Sequence, residues 1–402
     1  MTNILPAATP VIPDHIDSFR ALRTDQQPFW PDPESARKAF RETAETPLVE
    51  QASNAILDNQ LAAVNAGRAV VLQLGDCVED PAKSTPELIA RKLEFLDDSR
   101  IRLAHRAGLA AVAVGRIAGQ YTKPRSNPYD QVEGRSLPAF RGPMVNGPAP
   151  TPAARIPDPA RILHCHQASA MAMAVIDEHN RRHPDRTIWS SHELLLIDYE
   201  LAHLRPTPAG NHLASTHWPW IGERTRHLDG AHIAIAATLT NPVSVKIGPT
   251  ATPRDVAALA ERIDPARVPG RLTFIIRMGA ASIGRLAPIV EHLRAQRHPV
   301  NWVCDPMHGN TVTTARGLKT RPVERIVDEL RGFLAVLGSQ DQHPGGLHLE
   351  ATHEDIYECG ERGRDPEPGR HYTTLLDPRL NAEQTAHVID AWRHDAPRED
   401  AP

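Results

Sequence analysis

The chain has 402 residues, 41% of them hydrophobic, and a formal net charge of -4, which allows a sizeable core in one large α/β domain or two smaller ones. That balance gives no electrostatic footing for nucleic acid or an anionic membrane surface, and no stretch approaches the roughly 18 apolar residues of a membrane span. The N-terminal "MTNILPAATPVIPDH" lacks the pattern of a leader, and the four cysteines, Cys77, Cys165, Cys304 and Cys359, show no CxxC spacing, so the expectation is a cytoplasmic protein without disulfide framework or zinc knuckle.

In chain order, residues 1–65, including "QQPFWPDPESARKAF", read as an N-terminal helical extension, which leaves 66–402 for the catalytic domain. Short β-rich apolar runs then alternate with helical patterns. The runs are "AVVLQLG" (69–75), "LAAVAVG" (109–115), "TIWSS" (187–191), "WPWIG" (218–222), "VSVKIG" (243–248), "LTFIIRMG" (272–279), "NWVCD" (301–305) and "GLHLE" (346–350). Between them lie helical candidates such as "TPELIARKLEFLDDSRIRLAHRAG" and "RPVERIVDELRGFLAVLG", the second with Pro322 near its start and closing at Gly338. Eight strand-like runs with helical crossovers predict a closed (β/α)8 TIM barrel, with an open doubly wound sheet as the alternative. No Gly-rich nucleotide loop follows any run.

Chemistry concentrates at the C-terminal ends of those runs, which a barrel brings to one face. Arg116, Lys123, Arg125, Arg224, Lys246 and Arg277 would meet at one mouth. Like charges about 4 Å apart repel by roughly 4 kcal/mol at an effective dielectric near 20, so such a cluster is stable only around anions. Arginine's planar fork suits carboxylate and phosphate. "GRIAGQYTKPRS" therefore reads as an anion clamp, with Ser126 adding a hydroxyl. Taken singly, each cation is more readily read as paired with a neighbouring acid or solvated on a loop; the set at successive strand ends reverses that reading.

A second set comprises Cys77, His308, Glu350 and Asp377: one thiol, one imidazole and two carboxylates. This mixture suits a divalent first-row ion, Mn, Fe, Co or Zn, and not calcium. A lone Cys after a strand is more often a small buried hydrophobe, and a lone His more often merely hydrogen-bonded. "HCH" at 164–166 sits within a helical pattern, its neighbouring side chains pointing apart, and is read as structural.

The strings "LQLGDCVE", "VGRIAGQYTKPRS", "FRGPMVNG", "WSSHELLLIDYE", "WIGERTRHLDGAH", "NPVSVKIGPT", "RMGA", "DPMHGNT", "GGLHLEAT" and "LDPRLN" resemble, in order, class II 3-deoxy-D-arabino-heptulosonate 7-phosphate (DAHP) synthase, the first enzyme of the shikimate pathway. The resemblance runs from about residue 69 to 381. It implies metal-dependent condensation of phosphoenolpyruvate with erythrose 4-phosphate. It assigns Cys77, His308, Glu350 and Asp377 to the metal, with Mn or Co ahead of Fe or Zn, and Arg116, Glu223, Arg224, Lys246 and Arg277 to phosphoenolpyruvate, Glu223 through its backbone. Lys123, Arg125 and Ser126 would face the second substrate, and Lys123, His308 and Cys77 are its catalytic candidates. It also implies a homo-oligomer, dimer or tetramer, and a chorismate mutase as a candidate partner.

Two departures bear on the second-substrate pocket: Pro143 stands where the family carries aspartate, and Ser244 where glycine is usual. The span between "VNG" (145–147) and "WSSHE" (189–193) has room for little more than one helix, whereas members regulated by aromatic amino acids carry an extra helical pair there. The expectation is weak or absent feedback by phenylalanine and tryptophan, and a role in a secondary-metabolite branch such as phenazine. The alternatives are a synthase using an amino tetrose phosphate, and a non-catalytic relative binding sugar phosphates or a partner.

Overall fold

A computed structural model describes residues 16–132 and 134–392; the first fifteen residues of the expected extension lie outside that range. The chain opens with three helices, α1 (Ile16–Arg20), α2 (Pro33–Thr43) and α3 (Gln51–Asn65). Eight strands of one sheet follow, besides three short antiparallel strand pairs in the connections: β1 (Ala69–Gly75), β2 (Ala110–Arg116), β3 (Ile188–Ser190), β4 (Trp220–Ile221), β5 (Val243–Ile247), β6 (Leu272–Ile276), β7 (Val300–Cys304) and β8 (Pro344–Glu350). After each strand comes one helix: α4 (Pro86–Ala107), α5 (Ala160–Arg182), α6 (Ile197–Ala202), α7 (Ala231–Thr238), α8 (Pro253–Ile263), α9 (Leu286–Ala295), α10 (Val323–Gly338) and α11 (Ala382–Asp390). All eight β-rich runs read from the sequence fall on these strands, within a few residues at their ends.

The strands form one parallel sheet in the order β3-β2-β1-β8-β7-β6-β5-β4. Its two outer strands meet beyond their ends: Glu193 bridges Trp220 in parallel, and the Trp220 amide donates to the His192 carbonyl at 3.1 Å. The sheet thus curls into a barrel of TIM type. Parallel strands buried on both faces read as continuous apolar runs, which is why the strands were legible. Helix boundaries obey local chemistry. Thr85 caps α4 and Gly108 ends it in the left-handed conformation, while Thr252 and Asp255 form a reciprocal capping box at the start of α8.

Residues of α3 pack among the strands. Leu57, Leu61 and Val64 share a buried cluster with Ala69, Val71, Val112, Val114, Trp189 and Trp218, and Asn301 donates to the Leu61 carbonyl at 3.1 Å. The four cysteines are free and buried, and no described helix is long and apolar enough to cross a membrane. "HCH" lies in α5 as expected: His166 hydrogen-bonds Tyr199 and the Thr46 carbonyl, and Cys165 is core.

One backbone position decides how closely β8 meets β1. Gly346 has φ +147°, and a Cβ there would lie 2.1 Å from the Val71 carbonyl oxygen. Gly346→Ala is expected to destabilise the fold by about 2–3 kcal/mol through strain and overpacking. A urea titration checks this: the midpoint falls while the slope stays constant.

Candidate active site

The strand ends converge as the barrel requires. Glu350 closes β8 and is fully buried; its Oε1 accepts from Lys123 Nζ at 2.9 Å and Arg116 Nη2 at 3.0 Å, and its Oε2 from Arg321 at 2.6 Å. Burial opposes its charge, but the cations gripping it, Lys123 and Arg321 among them, outweigh that and hold its pKa well below the ordinary carboxylate range.

The Lys123 ammonium stands at the meeting point of all four predicted ligands. Its Nζ lies 2.9 Å from Cys77 Sγ, 2.9 Å from Glu350 Oε1, 2.9 Å from Asp377 Oδ2 and 3.3 Å from His308 Nε2. Asp305 binds the other ring nitrogen of His308, Nδ1, at 2.8 Å, so Nδ1 carries the proton and the Nε2 lone pair faces the set. Nε2 then lies 3.0 Å from Glu350 Oε1. Two lone-pair atoms at that distance repel unless a cation sits between them. Four donors of the mixed type that suits a first-row divalent ion therefore already converge on one positive charge, and the residues fit such an ion. Burial and the Glu350 charge push the Cys77 thiol up to about 12, so an ion bound there would displace its proton.

The loops bearing these ligands are tied to one another. Asp76, beside Cys77, binds Lys92 at 2.8 Å and Arg379 at 2.6 Å, and Arg379 belongs to the Asp377 loop. Arg321 donates to the Pro378 carbonyl as well as to Glu350. Glu79 accepts from three consecutive backbone amides, those of Ala118, Gly119 and Gln120, at 3.2, 2.9 and 2.9 Å. This fixes the start of the "KPRS" loop against the Cys77 loop. Gly119 is needed in that turn: its φ is +154°, and a Cβ would meet His192 Nδ1 at 2.1 Å.

A cavity of about 330 Å³ opens beside the ligand set, lined by Lys123, Arg125, Ser126, Arg224, Arg277, His308, Lys319 and Asp377, among others. Arg224 donates to the Ser126 hydroxyl across it. Arg125 reaches the wall already engaged by Asp130 and the Phe140 carbonyl. The Glu223 carboxylate accepts from Arg226 and from the Gly248 amide. Lys246 binds Asp305 at 2.9 Å; burial lowers its pKa to about 8 against the pull of Asp305. Pro143 and Ser244 are both buried and neither lines the cavity, so these departures do not shape its wall.

Sequence reading missed several groups. Lys319 lines the cavity and binds Asp377 at 2.7 Å. His348 and Gln73, inside the barrel, orient Arg116. Arg116 donates to His348 Nε2 at 2.6 Å, His348 Nδ1–H to Gln73 Oε1 at 2.6 Å, Gln73 Nε2 to Ser191 Oγ at 2.9 Å, and that hydroxyl to the Gly115 carbonyl at 2.9 Å. Every donor has an acceptor, so the chain has one direction. The alternation "GLHLE" places His348 on the same face as Glu350, the one signal that could have marked it.

Burial and the nearby Lys246 charge hold the His348 pKa well below its ordinary value. In ¹⁵N-resolved spectra His348 is expected to stay neutral with its proton on Nδ1 from pH 5 to 8. Gln73→Leu leaves that proton buried without an acceptor and should lower unfolding free energy by about 1–3 kcal/mol, measured by urea denaturation.

Comparison with known proteins agrees with this architecture. The chain matches the class-II DAHP synthetase family over residues 14–183 and 175–390. It is 41% identical over 380 residues to a "probable phospho-2-dehydro-3-deoxyheptonate aldolase" of Pseudomonas fluorescens, covering 92% of this chain and 94% of that protein. It is 38% identical over 445 residues to the phospho-2-dehydro-3-deoxyheptonate aldolase AroG of Mycolicibacterium smegmatis, with 96% and 95% covered. A Streptomyces coelicolor phospho-2-dehydro-3-deoxyheptonate aldolase is 38% identical over 424 residues, with 92% and 94% covered. With the four-donor cluster and the cation-lined cavity at the strand ends, these matches establish that the chain belongs to the class-II DAHP synthetase family.

Proposed function

We propose that the protein is a 3-deoxy-7-phosphoheptulonate synthase that condenses phosphoenolpyruvate with erythrose 4-phosphate and water, giving DAHP and inorganic phosphate. The observation that carries this reading is the convergence of Cys77, His308, Glu350 and Asp377 on one positive charge beside a cavity walled by cations. An ester hydrolase has no need of so many cations, and a protein that only bound sugar phosphates would have no need of the four-donor set.

Cys77, His308, Glu350 and Asp377 would hold a divalent ion, Mn or Co ahead of Fe or Zn, whose Lewis acidity polarises the aldehyde of erythrose 4-phosphate. Lys123, which lines the cavity, would present its ammonium to the reacting aldehyde. There it stabilises and protonates the alkoxide formed when C3 of phosphoenolpyruvate attacks the aldehyde carbon. Arg116, Arg224, Lys246 and Arg277 hold the carboxylate and phosphate of phosphoenolpyruvate, with the backbone at Glu223 completing that site. Arg116 is pre-aimed by His348, and Lys246 by Asp305. Lys123, Arg125 and Ser126 face erythrose 4-phosphate, with Arg125 braced by Asp130.

The short form supports an enzyme without aromatic feedback. The alignments to the mycobacterial and streptomycete relatives run over 445 and 424 positions, more than the 402 residues of this chain, so both carry segments absent here. The family match breaks into two pieces that meet at 175–183, and α5 is the one α-helix between β2 and β3. An enzyme free of that feedback suits a secondary-metabolite branch, of which phenazine synthesis is one.

Protein stripped of metal is expected to release no phosphate from the two substrates, and to form the seven-carbon sugar acid, identified by mass, once Mn or Co is added. Turnover that is unaffected by chelation would overturn the metal assignment, and no turnover with any ion would overturn the reaction. Calorimetric titration with phenylalanine or tryptophan is expected to give no heat of binding; micromolar affinity for either would contradict the reading of the short span.

A further inference from the structure

Residues 23–27 of the N-terminal extension, between α1 and α2, run across the connections that follow β2, β3 and β4. Arg23 bridges Gly230 in parallel, and its carbonyl accepts from the Ala231 amide at 2.9 Å, which ties the segment to the connection after β4. Gln27 is held to the connection after β3 by both atoms of its side-chain amide: Nε2 donates to the Leu195 carbonyl at 2.8 Å, and Oε1 accepts from the Ile197 amide at 3.0 Å. Between these anchors lies Gln26. Its side-chain Oε1 accepts from the Arg125 amide at 2.8 Å, and its carbonyl accepts from Arg141 Nη1 at 3.2 Å. The Arg141 carbonyl in turn accepts from the Lys123 amide at 2.9 Å. Gln26 thus grips the "KPRS" loop directly at Arg125 and, through Arg141, at Lys123.

Two observations set this grip apart from an ordinary loop contact. Gln26 has φ +66°, a left-handed conformation disfavoured for any residue with a Cβ and kept only where the surroundings impose it. The hydrogen bonds of Arg23 and Gln27 on either side are what impose it here. The loop it grips, moreover, has little support of its own: Pro124 has no N–H to donate, and Ser126, Asn127, Pro128 and Tyr129 are exposed. Arg125 and Ser126 line the cavity and Gln26 does not, so it acts on the loop from behind. The guanidinium of Arg125 is engaged by Asp130 and the Phe140 carbonyl, and Asp130 is itself held by Arg155 at 2.9 Å and the Phe140 amide at 3.0 Å. With Gln26 on its amide, Arg125 is fixed at both ends.

We infer that Gln26 is a positioning residue for the second substrate, holding the backbone from which Arg125 and Ser126 present their donors to the phosphate of erythrose 4-phosphate; this rests on the function proposed above. Bidentate recognition of a phosphate depends on where the guanidinium plane is held, and that is set by the backbone that carries it as well as by the partners at its tip. The effect is selective by position. Arg116, Lys246 and Arg277, the cations given to phosphoenolpyruvate, stand on the strands or directly at their ends, and Gln26 hydrogen-bonds to none of them. Loosening its grip should therefore weaken one substrate and spare the other. The N-terminal extension then belongs to the second-substrate site although Gln26 adds no atom to the cavity wall.

The test compares wild type, Gln26→Leu, Gln26→Glu and Arg125→Ala, all loaded with Mn. Gln26→Leu keeps the size of the side chain and removes the acceptor; it is expected to raise KM for erythrose 4-phosphate about 3–10-fold, the range set by one neutral hydrogen bond, with KM for phosphoenolpyruvate within about twofold of wild type. Gln26→Glu keeps an acceptor at the same reach, with Arg141 beside it to balance the added charge, and should hold both KM values within about twofold of wild type. Arg125→Ala should raise KM for erythrose 4-phosphate by more than Gln26→Leu does, and so reports independently whether that arginine serves the second substrate. If Gln26 only shapes the extension, Gln26→Leu changes both KM values alike or neither, or Gln26→Glu behaves as Gln26→Leu does, and the inference falls. Calorimetric binding of phosphoenolpyruvate checks that each variant is folded. Should Gln26→Leu fail it, Gln26→Asn decides by the same selective rise, since asparagine suits the left-handed backbone and withdraws the oxygen by one methylene. A wild type that makes no seven-carbon product, or an Arg125→Ala variant with unchanged KM, would sink the reading beneath the inference, whereas a loss confined to Arg125→Ala would sink only the role of Gln26.

Discussion

Charge that is removed from water must be held from several sides at once, and Glu350 is the residue on which this protein meets that demand. Its fully buried carboxylate is gripped by Arg116, Lys123 and Arg321, which come from the end of β2, the loop beyond it and the segment leading into α10. Breaking a buried pair by removing one partner costs about 3–5 kcal/mol, because the remaining charge is left uncompensated. The position of Glu350 thus fixes three cations, and through Lys123 it fixes the distances among the other donors. The site is assembled around a local balance of charge, and a divalent ion would enter that balance by displacing an ammonium.

Around this centre, a surrounding set of acids acts on backbone and neighbouring side chains. Asp76 joins the Cys77 loop to the Asp377 loop through Arg379. Glu79 holds three amides of the loop leading to Lys123. Glu329, on α10, accepts from the Gly279 amide and from Asn310, both at 2.7 Å, and so ties the segment after Arg277 to the segment after His308. Each carboxylate joins two strand-to-helix connections, either by bridging them or by reaching from one to the other. Loops that would otherwise move independently are thereby held to the tolerance that a ligand set and a near-attack geometry require.

Among the described residues, α5 is the one α-helix between β2 and β3. The barrel needs one crossover helix there, and α5 meets that need with its apolar face on the core. The catalytic arrangement draws nothing from any longer insertion, since every group at the mouth is carried by the strand ends and the connections that follow them.

Much of this was determined by local sequence. Parallel strands buried on both faces must be apolar throughout, so all eight were legible as continuous runs, and Thr85, Gly108 and Pro322 marked helix ends by their own conformational preferences. The four donors Cys77, His308, Glu350 and Asp377, which gather around Lys123, and most of the cations stood out because their chemistry is unusual at strand ends. The sequence could not show how those groups divide their charge. That Lys123 stands among the ligands, that Arg125 is engaged by Asp130, that His348 and Gln73 aim Arg116, and that Pro143 and Ser244 lie off the cavity are matters of distance between residues far apart in the chain. A side chain's type sets what it can bind, but only the closed barrel decides which partner lies within 3 Å, and it is that choice which separates a structural charge from a catalytic one.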